Sequence, residues 1–326
     1  MNRFRGPSFR LVDELPFEAF EFGATVAART TPLLVKGAVR HWPAWKNWGF
    51  DKLADLCDAK GSEVVSSFQA GLTEQGMTKQ RVDLAVAPYL RELGRAAACA
   101  APSAAALLDP DRRARLAPGA AFRLDWSRMN FTPDRVYLQQ WNMLERLPQL
   151  RQDFPMRRLW PGLRKTWEYA FIGPADTLSG LHCDFPDNWF CQVRGTKEFV
   201  MFTRDQTPHL SVARKYDWGA TLSEVDISRL DETPEVRDRF ERARGLYARV
   251  EAGDALYIPS RTWHAVLALE PSISIGVFGL TSAEVVIGGG IATLRDLLHR
   301  AHLYRWGNCT CHKMAEPPDA LPRLRN

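Results

Sequence analysis

The chain has 326 residues, enough for one large domain or two small ones at about 150 residues each. With 43 Lys and Arg against 38 Asp and Glu, a net charge of +5 and 45% hydrophobic residues, the composition excludes a disordered chain or a fibre. The small positive charge is spread along the chain, and its densest basic stretch, Asp109-Pro110-Asp111-Arg112-Arg113-Ala114-Arg115, carries its own acids, which argues against nucleic acid as the main partner.

Membrane spans are not expected, because the longest apolar stretches, such as 97–108, are interrupted and fall short of the roughly 20 residues that cross a bilayer. The N-terminal Met1-Asn2-Arg3-Phe4-Arg5 is basic but leads into no apolar run, so a cytoplasmic location is expected. Six cysteines at irregular spacing are too sparse for a disulfide framework and are expected to be mostly core thiols. The 11 Trp and 17 Phe predict a sizeable core or a deep cavity, since large rings are costly to leave in water.

From the N-terminus, Pro32-Leu33-Leu34-Val35-Lys36 predicts a buried strand, and the apolar spacing through 50–57 predicts a helix. A second helix is expected from 82 toward 95. Residues 95–118, rich in Ala, Arg and Pro, are expected to form a surface excursion with some helix. Between 169 and 280 the period shortens to that of strands, at 169–172, 188–194, 197–202, 247–251, 255–258, 263–269 and 272–278, separated by turn signals such as Arg194-Gly195-Thr196 and Ala252-Gly253-Asp254. Many short strands so closely spaced predict a double-sheet jelly roll or a small barrel. Thr233 followed by Pro234 is a good N-cap and first-turn pair for an interrupting helix at 233–244. Residues 282–304 read as a final helix, weakened in its middle by Gly288-Gly289-Gly290, and are a candidate surface for a second copy of the chain.

In Ser179-Gly180-Leu181-His182-Cys183-Asp184, a strand sends His182 and Asp184 to one face and Leu181 and Cys183 to the other. An isolated His-x-Asp is common by chance and is more often a surface pair than a pair of ligands. A third ligand on a neighbouring strand would complete a two-His-one-carboxylate face with open positions, the geometry of non-haem Fe(II) oxygenases. His264 is the candidate, because of the seven histidines only His182 and His264 sit in apolar, strand-like contexts. His41 and His209 fall in loop-like segments, His299 and His302 on the final helix, and His312 in the tail.

The residues C-terminal to Asp184 are more specific. The run His182-Cys183-Asp184-Phe185-Pro186-Asp187-Asn188-Trp189-Phe190-Cys191-Gln192-Val193-Arg194-Gly195-Thr196-Lys197 resembles the metal-and-cosubstrate stretch of JmjC-type hydroxylases of the cupin superfamily: H-x-D, then Asn, then Q-V/I-x-G-x-K before an aromatic strand. Tyr137-Leu138-Gln139-Gln140, Ile172-Gly173, the run from Tyr257 through Pro259 to Trp263-His264-Ala265-Val266, and the N-terminal run from Pro32 to Trp45 match in kind and order. The resemblance covers the chain from about residue 30 to about residue 280.

That resemblance implies a mainly β fold with flanking helices: a double-stranded β-helix (jelly roll, cupin/JmjC) core over 126–281, an N-terminal α/β region over 1–125 packing on it, and a C-terminal helix and tail over 282–326. It implies His182, Asp184 and His264 as ligands of Fe(II), Lys197 as the cation for the distal carboxylate of 2-oxoglutarate, and Tyr137 and Ser179 as hydroxyl donors to that cosubstrate. Asn188, on one face with Gln192, would line the pocket, although it could equally cap a turn. Ser274 could add a polar contact. Gly276 stands where the family frequently has Asn, so the pocket is expected to be wider there, or a water to replace the amide. The residues support Lys197 independently: both alternating faces of 197–202 are largely apolar, so an inward Lys197 needs an anionic partner, whereas an outward one would snorkel into water.

The implied reaction uses Fe(II), dioxygen and 2-oxoglutarate, which is decarboxylated to succinate and carbon dioxide while a substrate is hydroxylated. A side chain on a protein or peptide is the expected substrate by analogy, with a small molecule still open. Two other classes also stay open. One is a cupin without oxygenase chemistry, binding a small anion or sugar as an isomerase or sensor; the other is a scaffold that uses the last helix as a homodimer surface. Cys309, Cys311 and His312 lie too close together, without a second cluster, for a good tetrahedral zinc site, and a flexible reduced tail is expected there.

Overall fold

A strand that is apolar on both faces must be covered on both sides, and that requirement sets the layering. The computed structural model describes residues 4–26, 28–59, 64–69, 81–99, 106–129, 136–161, 165–217, 219–228, 230, 233–280, 282–307 and 309. One sheet has six strands in the order β1 (Ser8–Leu11), β12 (Arg244–Val250), β10 (Lys197–Phe202), β14 (Trp263–Ala268), β8 (Leu178–Asp184) and β11 (Ala220–Leu222). The other has nine, in the order β2 (Asp13–Pro16), β3 (Leu33–Lys36), β13 (Ala255–Ile258), β9 (Asp187–Arg194), β15 (Ser272–Leu280), β7 (Lys165–Gly173), β6 (Val136–Trp141), β4 (Val64–Gln69) and β5 (Arg81–Ala85). From β7 to β10 and again from β12 to β15 the chain passes from one sheet to the other at each step, which is the jelly roll that the strand spacing predicts.

Every residue of β10 is buried, and its side chains alternate between two cores. Phe199 and Met201 face inward, with Phe190, Leu256, Ile258 and Val250 between the sheets. Val200 and Phe202 face outward, into a second core with Phe9, Phe122, Leu181 and Phe240. A third core covers the outside of the nine-stranded sheet, where Ile273, Ile275 and Val277 meet the helices Phe50–Ala59 and Val86–Cys99. Phe50, Leu53, Ala54 and Cys57 are the buried residues of the first helix, the i, i+3, i+4, i+7 stripe its sequence predicts. Each large apolar side chain of this kind contributes about 1.5–3 kcal/mol on burial.

Three expectations are corrected. The helix expected from 82 is strand β5 as far as Ala85, paired with β4, and the helix begins only at Val86. Pro88 gives the physical reason: lacking an N–H, it fits the first turn and not the interior of a longer helix. Within the expected surface excursion at 95–118, Ala106, Leu107 and Leu108 are buried in the outer core, and Asp109 caps the short helix Pro110–Ala114. The Leu107 N–H donates across 2.8 Å to Glu198, an outward-facing and buried carboxylate on β10 that burial pushes above the usual carboxylate range. Tyr247 donates to the same carboxylate. The final helix, Ser282–Arg300, stops short of 304, because His302 adopts a left-handed φ of 62° and the N–H groups of Leu303 and Tyr304 turn back to the Leu298 carbonyl.

The N-terminal region is woven into the sheets. β1 runs parallel to β12, β2 runs parallel to β3, and β3 is antiparallel to β13. No helix among the described residues is long and apolar enough to cross a membrane.

Candidate metal centre

β8 keeps the period of two that its sequence predicts: Leu181 and Cys183 enter the outer core, while His182 and Asp184 face inward, half-buried. β14 lies antiparallel to β8 with His264 directly opposite His182, and the pairing slips by one residue between His264 and Val266. β11 supports the other edge, pairing Ala220 with Asp184. His182, Asp184 and His264 thereby each offer one ligand atom, all within 4.8 Å of one another. His264 Nε2 lies 3.6 Å from Asp184 Oδ2, and the two imidazole centroids are 4.3 Å apart.

Backbone carbonyls decide which nitrogens face the centre. His182 Nδ1 lies 2.7 Å from the Gly180 carbonyl and His264 Nδ1 lies 3.0 Å from that of Thr262. Each Nδ1–H donates to its carbonyl, so each Nε2 keeps its lone pair for the site. Burial, reinforced by the neighbouring His182, pushes His264 down to about 3, which makes it the neutral imidazole a metal needs. Two imidazole Nε2 atoms and one carboxylate converging on a point form a donor set suited to a divalent transition metal. Among the described residues this is the one such group.

Lys197 shares the inner face of β10 with Phe199 and Met201 and is 1% exposed. Its Nζ donates to Tyr137 Oη across 3.0 Å and lies 5.2 Å from the ring centroids of Tyr137 and Phe190. Burial pushes the ammonium down to about 7 and pushes the Tyr137 hydroxyl up. β6 and β10 belong to different sheets, so this pair spans the interior.

The remaining candidates are distributed around these two centres. Ser179 is half-buried beside Gln139, whose Nε2 lies 3.5 Å from its Oγ. Ser274 donates to Gln192 Oε1 across 2.9 Å, and Gln192 Nε2 donates to the Arg194 carbonyl. Asn188 lies inside β9, buried, and caps no turn; its Oδ1 has no hydrogen-bond partner among the described residues. Gln139 and Gln192 are the residues that sequence reasoning leaves without a role. Gln139 could be found from its period-two relation to Tyr137.

The wider pocket expected at Gly276 is not there. A Cβ built at Gly276 would lie 2.9 Å from Phe171 Cε2 and 3.1 Å from Phe278 Cε2, so two rings occupy the room an Asn side chain would take. Cys309 also differs from expectation: it is buried and bridges to Tyr216, whereas Cys311 and His312 lie outside the described residues.

A jelly roll with two imidazoles and a carboxylate on neighbouring strands of one sheet defines a cupin fold with a donor set that could hold a metal. Residues 19–278 match the profile of the cupin-like domain family, and the chain belongs to this JmjC-type, cupin-like family. It is 28% identical over 146 residues to the Jumonji C domain-containing protein 5 of Drosophila melanogaster, covering 43% of this chain and 35% of that protein. It is 30% identical over 158 residues to the lysine-specific demethylase JMJ30 of Arabidopsis thaliana, covering 46% and 34%. With the tRNA wybutosine-synthesizing protein 5 of Gallus gallus it shares 33% identity over 108 residues, covering 33% and 31%. The chain thus spans about a third of the length of the curated relatives it matches. The cofactors of this family are Fe(II), 2-oxoglutarate and dioxygen, and the His182-Asp184-His264 group could hold the metal.

Proposed function

We propose that this protein is a Fe(II)- and 2-oxoglutarate-dependent oxygenase that hydroxylates a side chain of a protein or peptide. The observation that carries the reading is the convergence of His182, Asp184 and His264 within 4.8 Å, in the same interior as the buried Lys197. When bound, the iron with its cosubstrate and dioxygen supplies the oxidising power, and 2-oxoglutarate leaves as succinate and carbon dioxide.

The chain's own residues hold and orient. The Nε2 atoms of His182 and His264 and the Asp184 carboxylate would hold the metal. Lys197 gives one N–H to Tyr137 and has others for the distal carboxylate of the cosubstrate; Tyr137 Oη accepts from Lys197 and carries a proton of its own to donate there. Phe190, Phe199 and Met201 exclude water from the ammonium, which strengthens its attraction for an anion. Ser179, Asn188 and Ser274 supply polar lining. A non-oxygenase cupin that binds a neutral sugar has no use for an ammonium buried this deeply.

Similarity to a protein named as a lysine-specific demethylase supports a protein substrate, and similarity to a tRNA wybutosine-synthesizing protein makes a nucleic acid the competing substrate class for the same assay. The test is succinate release with Fe(II), ascorbate and 2-oxoglutarate, joined to mass spectrometry of candidate peptides for the gain of one oxygen. A His182→Ala variant that consumes cosubstrate as fast as the parent overturns the oxygenase reading. The homodimer reading places a second copy on the final helix, where Ile291, Leu294 and Leu298 at i, i+3 and i+7 expose one apolar stripe. Sedimentation with and without 282–326 tests it, and an unchanged association state counts against it.

A further inference from the structure

We infer that Asp187 is a positioning residue for the metal ligand His264, acting through the turn at 259–262. The inference rests on the proposed metal-binding role of His182, Asp184 and His264. Asp187 stands at the start of β9, three residues beyond Asp184, and its carboxylate reaches the segment that leads into β14. Tyr257 Oη donates to Asp187 Oδ2 across 2.9 Å, and the Ser260 N–H donates to Asp187 Oδ1 across 2.7 Å.

One of these donors lies just before the turn that delivers His264 and the other lies within it. The Thr262 N–H returns to the Pro259 carbonyl across 3.1 Å, closing a four-residue turn in which Arg261 takes a left-handed φ of 60°. That conformation is unfavourable for a residue with a side chain and persists only where its surroundings over-determine it. Here they do. Ser260 Oγ donates to the Phe185 carbonyl, and the Arg261 N–H donates to the Asp184 carbonyl across 2.8 Å.

The turn ends at Thr262, whose carbonyl accepts the Nδ1–H of His264 and so aims Nε2 at the centre. Asp187 therefore ties the segment bearing Asp184 to the segment bearing His264. Loss of its grip lets the turn relax toward an ordinary φ, moving the Thr262 carbonyl and rotating the imidazole it holds. Lys197 and Tyr137, on β10 and β6, are outside this linkage.

The experiment uses the full chain and Co(II) as the probe, titrated by its visible absorption, with Asp187→Asn, Tyr257→Phe and Ser260→Ala compared with the parent. Asp187→Asn keeps the side-chain shape but turns one acceptor into an amide donor. Its Co(II) Kd is expected to rise about 10–100-fold with an altered absorption envelope, as loss of an outer partner of a ligating His does. Tyr257→Phe is expected to give a smaller rise. In metal-saturated Asp187→Asn, the Kd for 2-oxoglutarate is expected to stay within a factor of about three of the parent. A merely structural role would lower the melting temperature and leave the Co(II) Kd and spectrum at parental values, and that result overturns the inference. If Asp187→Asn fails to fold, parental Co(II) affinity and spectrum in Tyr257→Phe do the same. Failure of the parent itself to bind Co(II) would be a failure of the metal-centre reading, and is seen before any variant is made.

Discussion

Lys197 and Tyr137 meet across the interior of the jelly roll, ammonium nitrogen to phenol oxygen, at 3.0 Å. The lysine's sequence neighbours point it between the sheets, and burial, with no charged partner among the described residues, sets its titration. A buried ammonium held by one phenol and two ring faces is a poorly compensated charge.

Replacing Lys197 with Met therefore has two opposite effects. Without ligand, removing the charge while keeping the shape is expected to raise the melting temperature by about 2–4 °C. With 2-oxoglutarate, affinity is expected to fall about 100-fold, or about 2.7 kcal/mol. Thermal melts and calorimetric titration check both, and a variant that binds 2-oxoglutarate like the parent removes Lys197 from the cosubstrate site.

The pH dependence comes from the same group. Burial lowers Lys197 to about 7 in the ligand-free fold, so below that pH it is already charged when an anion arrives. A bound dicarboxylate stabilises the charged form and raises the value in the complex. Above pH 7 binding must therefore take up a proton, and the Kd for 2-oxoglutarate is expected to climb toward tenfold per pH unit until the pKa of the complex is reached. Titrations at about pH 8 in buffers of different ionisation enthalpy should show that proton uptake; equal heats in all of them would contradict it.

Metal binding should be visible as stability. At a free Mn(II) or Co(II) concentration about 100 times its Kd, the parent is expected to gain about 2.7 kcal/mol. His182→Ala, Asp184→Ala and His264→Ala each remove one of the three proposed ligands and are expected to lose most of that gain. Melting curves with and without the ion decide it, and an undiminished shift in all three variants would place the metal elsewhere.

Gly276 offers a packing test. Ala there would press on Phe171 and Phe278 at 2.9 and 3.1 Å, and overpacking of this kind costs about 1–3 kcal/mol. Gly276→Ala is expected to melt lower than the parent, and Gly276→Ala combined with Phe171→Leu to recover part of the loss. If the single variant is as stable as the parent, the two rings do not fill that space.

Much of the centre is legible in the chain because its carriers are strands. A period of two puts His182 and Asp184 on one side and Leu181 and Cys183 on the other whatever the partner strand is, and it sets Lys197 on one face with Phe199 and Met201. Such facts are local. The order of the motifs supplies the rest of the candidate set, through resemblance.

Pairing cannot be read the same way. That His264 faces His182, that Tyr137 reaches Lys197 and that Phe171 fills the space at Gly276 depend on registers between strands tens of residues apart. The strand at 81–85 reads as helix because its apolar residues run on into a true helix and its partner β4 lies beyond a gap in the local pattern. Residues 106–108 read as surface although Glu198, on the outward face of β10, accepts from the Leu107 N–H. Alternation along a strand is set by the covalent backbone, so the sequence carries it; which strand lies opposite is a matter of long-range burial and hydrogen bonding, and only the folded chain decides it.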